Sequence, residues 1–229
     1  MTMRARIAAL LRDEIAEGAW AEGARLPAEA ALAARFGVNR HTVRAALSDL
    51  AAEGLVRARR GAGTFVAGRP ADYALGRRVR FHQNLAGRAP AKRVLSLETR
   101  AARPREAEAL ALDPGAPVVA YEGLSLAEGR PIATFSSVFP ALDGLVEALR
   151  DGGSVTRALA ACGVGDHVRR ESRIDARAAD PVRAGLLELA VGAPLIRVAS
   201  LNVDGSGRPV EAGRTWFAAE RVTLTVDHA

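Results

Sequence analysis

Basic and polar side chains recur on one side of a predicted helix that follows Asn39, a preferred N-cap residue. Its apolar residues fall at positions i, i+3, i+4 and i+7 and form one buried stripe: Val43, Ala46, Leu47 and Leu50. The opposite side then presents four polar residues: Arg40, His41, Arg44 and Ser48. Guanidinium groups placed in this way can contact both the phosphates and the base edges of a DNA major groove.

Residue types that support catalysis or metal binding are scattered along the chain. The four histidines are isolated from one another, and no Ser/His/Asp, metal-ligand or nucleotide-loop spacing appears. The single Cys162 cannot form an intrachain disulfide or a cysteine zinc site, and we interpret it as a small core residue. The sequence therefore indicates no catalytic residue, no metal site and no cofactor.

Positive charge is concentrated at the N-terminal end of the chain. Residues 1–80 contain 14 Arg against 8 acidic residues, whereas the remainder contains 18 Lys plus Arg against 18 acidic residues. A basic segment beside a neutral one is what contact with a phosphate backbone requires. GC-rich coding would explain the preference for Arg, but it would not explain this segregation.

Length and composition indicate a globular protein with two domains. The chain has 229 residues, of which 49% are apolar and 25% charged. No window approaches the roughly 18 apolar residues that a membrane span needs, and the N-terminus lacks the apolar core of a signal peptide. We therefore expect a cytoplasmic protein without a membrane partner.

The N-terminal pattern predicts three helices and a hairpin. The first helix covers residues 3–17, and the second opens at Leu26-Pro27, carries Glu29 in its first turn and stops at Gly37. The third helix contains the stripe described above. Two strand-like runs, 55–59 and 64–66, flank a glycine-containing turn. Together these elements predict a winged helix-turn-helix.

Three ordered blocks of sequence resemble the signature of the GntR family of bacterial repressors: 26–29, 38–44 and 61–66. The resemblance implies that the third helix enters the major groove and that the hairpin tip follows the neighbouring minor groove. Arg40 and Arg44 would then contact bases or phosphates. The residues that would position the duplex are His41, Thr42, Arg60, Gly61 and Gly63.

A second resemblance indicates one branch of this family. Segments 69–73 and 80–85, together with Asn39 to Thr42, are similar to the phosphonate-metabolism regulators among the HutC-type GntR proteins. We expect a DNA-binding domain over 1–68, a linker over 69–90 and an effector-binding and dimerisation domain over 91–229. The segment from Ala67 to Leu85 would act as the hinge.

The C-terminal part contains an internal duplication. Pro104 to Phe139 corresponds to Pro181 to Phe217, and each copy holds a helix, a Gly-Ala-Pro turn and two strands. This pattern predicts a pseudo-symmetric α+β domain with a largely antiparallel sheet. It is similar to the effector domain of HutC-type proteins, the UTRA domain, whose fold resembles chorismate lyase.

A glycine-rich segment between the copies, residues 151–156, precedes a predicted helix. Ser154 is either an ordinary N-cap or part of an anion site. The resemblance implies that this block contacts the acidic group of an effector. It also implies ligand contacts at other positions, each of which is alternatively a surface ion-pair residue: Arg80, His82, Asn84, Arg173, Glu211 and Arg214.

The chain departs from the sugar-phosphate sensors of this group at two positions. Those proteins carry two arginines in the first strand after the Gly-Ala-Pro turn, where this chain has Gly123 and Ser125. A bound anion would then take its positive charge from Arg130, Arg173 or Arg214.

These features favour a ligand-responsive transcriptional regulator, expected to repress a metabolic operon for phosphonate or organophosphorus uptake and breakdown. Its partners would be double-stranded operator DNA, a second copy of the chain and a small, anionic effector. One alternative is an enzyme of lyase-like fold with an accessory DNA-binding head. Another is a chromosomal DNA-binding protein that tolerates any sequence and takes no ligand.

Overall fold

A computed structural model describes residues 2–59, 61–68, 70–76, 89–152 and 154–226. The chain divides into two compact units, Met1–Arg69 and Pro70–Ala229. Within the described residues, no helix is long and apolar enough to span a membrane.

Unit 1 contains three helices followed by an antiparallel hairpin, as the sequence predicted. The helices are α1 Met3–Ala16, α2 Glu29–Phe36 and α3 Arg40–Ala52. The hairpin strands are β1 Val56–Arg59 and β2 Gly63–Val66. These elements form a winged helix-turn-helix.

The apolar stripe of α3 lies at the centre of the core of unit 1, and all four of its residues are buried. They pack with Ile7 and Leu11 of α1 and with Leu32 of α2. Two ion pairs, Arg4 with Asp49 and Arg12 with Glu53, also join α1 to α3. The polar side of α3 thus remains open to solvent.

Helix α2 begins at Glu29, two residues later than the sequence predicted. Arg25 forms an isolated bridge with Phe65, and the amide of Leu26 donates to the carbonyl of Thr64 at 2.8 Å. These bonds hold the chain extended beside β2, so that Pro27 precedes the helix instead of occupying its first turn. The left-handed Gly37 (φ 65°) ends α2 as expected.

Unit 2 is an α+β domain built on a six-stranded sheet. Its strands are β4 Pro90–Ala101, β5 Pro117–Ala127, β6 Arg130–Pro140, β7 His167–Ala178, β8 Pro194–Asp204 and β9 Pro209–Ala218. Their spatial order is β4-β5-β6-β9-β8-β7, with every neighbouring pair antiparallel. The helices are α4 Pro104–Leu110, α5 Leu145–Gly152, α6 Val155–Ala161 and α7 Pro181–Leu187.

The internal duplication is confirmed, and it is longer than the sequence suggested. The bounds of α4 and α7 differ by 77 residues at both ends, and so do those of β4 and β7. Both helices end at a non-glycine residue in the left-handed region, Ala111 (φ 52°) and Glu188 (φ 54°). Each half therefore supplies three strands and one helix, and the halves meet where β6 pairs with β9.

The two faces of the sheet carry different helices. On one face, Val118 and Val138 pack against α4, while Trp216 packs against α7. On the other face, Tyr121 and Phe139 pack against α5 and α6. Because successive residues of a strand point to opposite faces, alternation assigns each strand residue to one of these layers.

The predicted linker, 69–90, differs from the structure in its first part. Residues Ala71–Ala74 form a strand, β3, that pairs in parallel with β10, Val222–Thr225, inside unit 2. Ala71 and Tyr73 alternate into the core, where the ring of Tyr73 lies 4.8 Å from that of Phe217. Residues 77–88 lie outside the described part of the chain.

Candidate nucleic-acid interface and effector cavity

The start of α3 is fixed by a side-chain cap. Asn39 Oδ1 accepts from the amide of Thr42 at 2.8 Å and from its hydroxyl at 2.9 Å. Thr42 is thereby held at the helix start, while Arg40, His41 and Arg44 project into solvent. Three of the predicted DNA-contacting side chains consequently share one exposed surface.

Arg44 is oriented by Glu29 at the start of α2. Its Nη2 lies 2.7 Å from Glu29 Oε2, and its Nε lies 3.0 Å from Oε1. The hydrogen bond from Arg44 lowers the pKa of the Glu29 carboxyl, which keeps the pair charged at neutral pH. The guanidinium of Arg44 is thus held beside the helix-turn-helix surface.

A groove of about 450 Å³ separates the two motif helices from the hairpin and is lined by Arg25, Glu29, Arg40, Gly61 and Gly63. Gly63 has φ +108°, and a Cβ atom there would lie 2.8 Å from Arg25 Nε. Arg25 was missed from the sequence. Its only signal was its position directly before the Leu26-Pro27 block. The predicted contact Arg60 lies outside the described residues.

Unit 2 has a polar cavity of about 160 Å³ on the sheet face that carries α5 and α6. Residues from all six strands, β4 to β9, line it, and Thr156 of α6 lies at its side. Its ionisable side chains are Lys92, Asp166, His167, Arg169 and Glu211. A cavity with this lining can hold a small charged molecule.

Glu211 is held in place within the cavity by two neutral donors. The Ser137 hydroxyl donates to its Oε1 and the Asn202 amide to its Oε2, both at 2.7 Å. Ser137 and Asn202 are themselves buried. Gly213 leaves room for this cluster, because a Cβ atom there would lie 3.0 Å from Ser200 Oγ. Glu211 is thus a carboxylate whose orientation the sheet fixes.

Lys92 supplies positive charge to the same cavity. Burial lowers the pKa of its ammonium group, and the electrostatic attraction of Glu211 opposes that shift. Its Nζ lies 5.2 Å from the ring centroid of Phe135 and 5.8 Å from that of Tyr121. The sequence contained one signal that was overlooked: Lys92 is the single lysine among 32 basic residues.

The effector residues expected from the sequence do not all meet at this cavity. Glu211 lines it. The hydroxyl of Ser154 caps α6, accepting from the amide of Arg157 at 3.4 Å, as in the N-cap alternative. Arg80, His82 and Asn84 lie outside the described residues. His167 and Arg169, like Lys92, were not identified from the sequence.

Arg173 and Arg214 lie on the opposite face of the sheet from Glu211. They line a separate groove of about 520 Å³ beside α4. Arg173 is exposed and pairs with Glu171. Arg130, also considered as a source of positive charge, lies 3.7 Å from Glu220. The positive charge that lines the cavity therefore comes from Lys92 of β4 and Arg169 of β7.

The structure also explains why this chain has no arginine at position 123, one of the two strand positions where the sugar-phosphate sensors carry arginines. A Cβ atom at Gly123 would lie 2.5 Å from the carbonyl oxygen of Arg93 and 2.7 Å from Phe135 Cζ. No side chain fits at that position while the Phe135 ring occupies it. Ser125 lines the cavity and lies opposite Lys92 in the β4–β5 register. The lysine therefore stands beside the position where the related sensors carry an arginine.

A winged helix with exposed arginines, joined to a separate domain with a polar cavity, defines a DNA-binding regulatory protein. The family model of bacterial regulatory proteins of the gntR family matches residues 3–66, and that of the UTRA domain matches residues 85–223. The chain belongs to the gntR family and carries a UTRA domain. It is a transcriptional regulator.

Similar proteins cover almost the whole chain. An uncharacterised HTH-type transcriptional regulator of Rhizobium meliloti (strain 1021) is 42% identical over 228 residues, 97% of this chain and 93% of that protein. The probable transcriptional regulator PhnF of Escherichia coli (strain K12) is 35% identical over 227 residues, with the same coverage. The crystal structure of PhnF from Mycobacterium smegmatis matches with a TM-score of 0.67 at 26% identity, covering 97% of this chain and 99% of that one. These relatives are transcription regulators, and the enzyme alternative finds no support among them.

Proposed function

We propose that the chain is a ligand-responsive repressor that binds a palindromic operator as a homodimer. The observation that carries this proposal is the polar cavity of unit 2, which is lined by ionisable side chains of both signs, among them Lys92, Arg169 and Glu211. A concave site with a few convergent polar groups is the default position for a small-molecule ligand. A ligand bound there would give the second domain a role in control.

The DNA contacts follow from the exposed surface of unit 1. Arg44, oriented by Glu29, would form bidentate hydrogen bonds with a base edge in the major groove. Arg40 and Arg25 line the groove beside the hairpin and would contact phosphates. His41 and Thr42 would position the helix start. Gly61 and Gly63, with Arg60, would let the hairpin tip approach the minor groove closely.

Homodimer formation follows from the size of one DNA-binding unit. A single recognition helix contacts only a few base pairs, whereas two copies related by a two-fold axis would cover both halves of a palindrome. The free energy of binding would then be sufficient for selection among genomic sites. We assign dimerisation to the C-terminal domain, as the sequence suggested. Because its target is bacterial DNA, the regulator would act in the cytoplasm.

The ligand would act through linkage. An effector can shift an equilibrium between two conformations only by the difference between its affinities for them. We propose that the connection between the two units changes conformation when the cavity is occupied, and that the change weakens DNA binding. A phosphonate or a related organophosphorus compound would accept hydrogen bonds from Lys92 and Arg169 in the cavity lining. The resemblance of segments 69–73 and 80–85 to the phosphonate-metabolism regulators supports the same class.

The experiment uses the full chain and the DNA upstream of its own gene. Footprinting would locate the protected palindrome, and mobility shifts at fixed salt would compare this DNA with random DNA of equal length. Specific binding that weakens when methylphosphonate, other phosphonates or a cell extract is added is the expected result. Equal affinity for both DNAs would instead favour a sequence-tolerant chromosomal protein. Specific binding that no phosphonate or extract changes would refute ligand control.

A further inference from the structure

Strand β4, Pro90–Ala101, lies at one edge of the six-stranded sheet. Among the described strands its only neighbour is β5, so the backbone groups along its outer side have no partner strand there. A strand edge of this kind can pair with the backbone of another strand. Most side chains of β4 are exposed, including two large apolar ones, Val94 at 44% and Leu95 at 47%. The middle of β4 is therefore an exposed apolar strand edge.

The opposite edge of the sheet, strand β7, carries charge in the corresponding region. Each residue of β4 corresponds to the residue 77 positions later in β7. The apolar pair of β4 thus corresponds to Glu171 and Ser172, and the exposed apolar Ile174 lies between Arg173 and Asp175. Charged side chains on an edge strand oppose pairing with another strand. Of the two edges, β4 is the one that can accept a partner.

A β-bulge determines which side chains of β4 share a face of the sheet. The register with β5 shifts by one residue at Leu95. Val94 and Leu97 consequently lie on the face that carries α5 and α6, whereas Arg93 and Glu98 lie on the other face. On each side of the bulge, the strand therefore carries an apolar residue on one face and a charged residue on the other. The charge is positive before the bulge and negative after it.

We propose that two copies of the chain pair through β4, antiparallel and related by a two-fold axis between Leu95 and Ser96. Val94 then lies opposite the partner's Leu97, on the face that carries α5 and α6. The two-fold axis repeats each contact, so the same surface serves both copies. This inference rests on the homodimer of the proposed function, since it names the surface through which that homodimer forms.

Charge complementarity selects this register of the two strands. Arg93 lies opposite the partner's Glu98, and the two-fold axis generates a second pair of the same kind. Opposite charges placed directly across two strands are favourable, and like charges are unfavourable. A shift of one residue would set side chains of different faces opposite each other. A shift of two residues would set Arg93 opposite either Arg100 or Ser96, and no pair of opposite charges would form.

The other charged groups on this face leave the pair of charges accessible. Glu98 is 58% exposed, and Arg100 Nε of the same chain lies 3.5 Å from its Oε1. Arg100 is only 22% exposed, and its Nη1 lies 2.7 Å from Glu106 Oε2, which compensates its charge within the chain. Glu122 of β5 adds one further negative charge to the same face. Arg93 is exposed, so each copy presents one accessible cation and one accessible anion.

Mixing two charge-reversed chains tests the proposal. A homodimer of Arg93→Glu would set two carboxylates opposite each other in both pairs, and a homodimer of Glu98→Arg would set two guanidinium groups there. A heterodimer of the two variants restores opposite charges in both pairs. In native mass spectrometry of the mixed full-length chains at low salt, the ratio of heterodimer to either homodimer should exceed the statistical ratio by at least about 5-fold. Statistical mixing would overturn the proposal.

Two further variants locate the interface. Arg170→Glu is the matched control, because Arg170 is the exposed counterpart of Arg93 on β7, and it should mix statistically with the unsubstituted chain. Leu95→Lys places an ammonium group from each copy beside the two-fold axis. It should weaken the dimer by at least about 10-fold in sedimentation velocity, with an unchanged circular dichroism spectrum because Leu95 is exposed. Preferential mixing of the control, or an unweakened Leu95→Lys dimer, would also count against the β4 edge.

The outcomes separate this interface from the homodimer itself. If the unsubstituted chain is dimeric but the two charge variants mix statistically, the homodimer stands and the β4 edge is wrong. If the chain is a monomer at every concentration and also on operator DNA, both proposals fail. If it forms larger polymers, the contact joins unlike surfaces, such as β4 with β7, and the two-fold pairing is wrong.

Discussion

Replacing Arg44 by alanine should remove sequence-specific DNA binding while leaving unit 1 folded. The Arg44 side chain is 64% exposed, and its ion-pair partner Glu29 is 33% exposed. Exposed ion pairs typically contribute about 0 to 1 kcal/mol to stability. Thermal unfolding of the chain should therefore be almost unchanged, and the effect on DNA should be separable from misfolding.

The expected loss of affinity follows from the type of contact. A bidentate hydrogen bond between Arg and guanine contributes about 1 to 3 kcal/mol of discrimination, which corresponds to about 5- to 150-fold in affinity per half-site. Fluorescence anisotropy with operator and random DNA at several salt concentrations measures this directly. Affinity for the operator should approach the affinity for random DNA, whereas removal of a phosphate contact would weaken both and reduce the salt slope by about one.

Arg12→Ala is the matched control. Arg12 is also exposed and also forms a paired contact with a glutamate, Glu53, at 2.6 Å, but it lies on α1. It should leave operator affinity within about 2-fold, since the electrostatic effect of one distant exposed charge is largely screened by salt. The assignment of Arg44 is refuted if both variants lose specificity equally, or if Arg44→Ala retains full preference for the operator.

Further predictions concern the elements that support the two sites. Asn39→Ala removes the cap of α3 and should destabilise unit 1 by about 0.5 to 2 kcal/mol in chemical denaturation; no change would show that the cap is dispensable. Gly123→Ala should cost about 1 to 3 kcal/mol, because its Cβ atom would overlap the Phe135 ring, and unaltered stability would refute that close approach. Burial raises the pKa of the Cys162 thiol, so its reaction with a disulfide reagent at pH 8 should be slower than that of a cysteine peptide. Burial lowers the pKa of the Lys92 ammonium group in the folded chain below the 10.5 expected for the unfolded chain. At a pH between these two pKa values the unfolded chain binds more protons than the folded chain, so the free energy of unfolding should increase as the pH rises. Denaturation of the unsubstituted chain at pH 7 and at pH 9.5 should show this increase, and Lys92→Met should show a smaller one.

The sequence was sufficient for features that depend on local periodicity. The stripe from Val43 to Leu50 identified the buried side of α3, because one helical face must be apolar when it packs. The Gly-Ala-Pro turns and their matching strands revealed the duplicated hairpins. The turn at Gly61 to Gly63 correctly indicated the hairpin of unit 1.

Features that depend on distant contacts were missed. The sequence pattern placed the start of α2 at Pro27. The structure differs because the amide of Leu26 donates to the carbonyl of Thr64, and a local pattern does not reveal a hydrogen bond between residues so far apart in sequence. The segment at 71–74 resembled a linker because its partner, β10, lies near the other end of the chain. Long-range pairing of this kind overrides local propensity.

The effector cavity also depends on contacts between residues that are distant in sequence. Lys92 and Glu211 come from strands that are not neighbours in the sheet, and no spacing in the sequence relates them. Arg173 and Arg214 were expected near Glu211, but strand alternation and the bulge between Arg169 and Glu171 place them on the other face. A change of one residue in register reverses the direction of a side chain, so such assignments require the structure.

The most direct test of ligand control is whether DNA and ligand affect each other by the same factor. Titration of methylphosphonate into the free chain and into the chain saturated with operator would give two ligand affinities, and anisotropy with and without the ligand would give two operator affinities. We predict that operator weakens ligand binding and that ligand weakens operator binding by equal factors, on the order of 10-fold, because coupling free energies are reciprocal. Ligand affinity that is the same for the free and the DNA-bound chain would contradict the account.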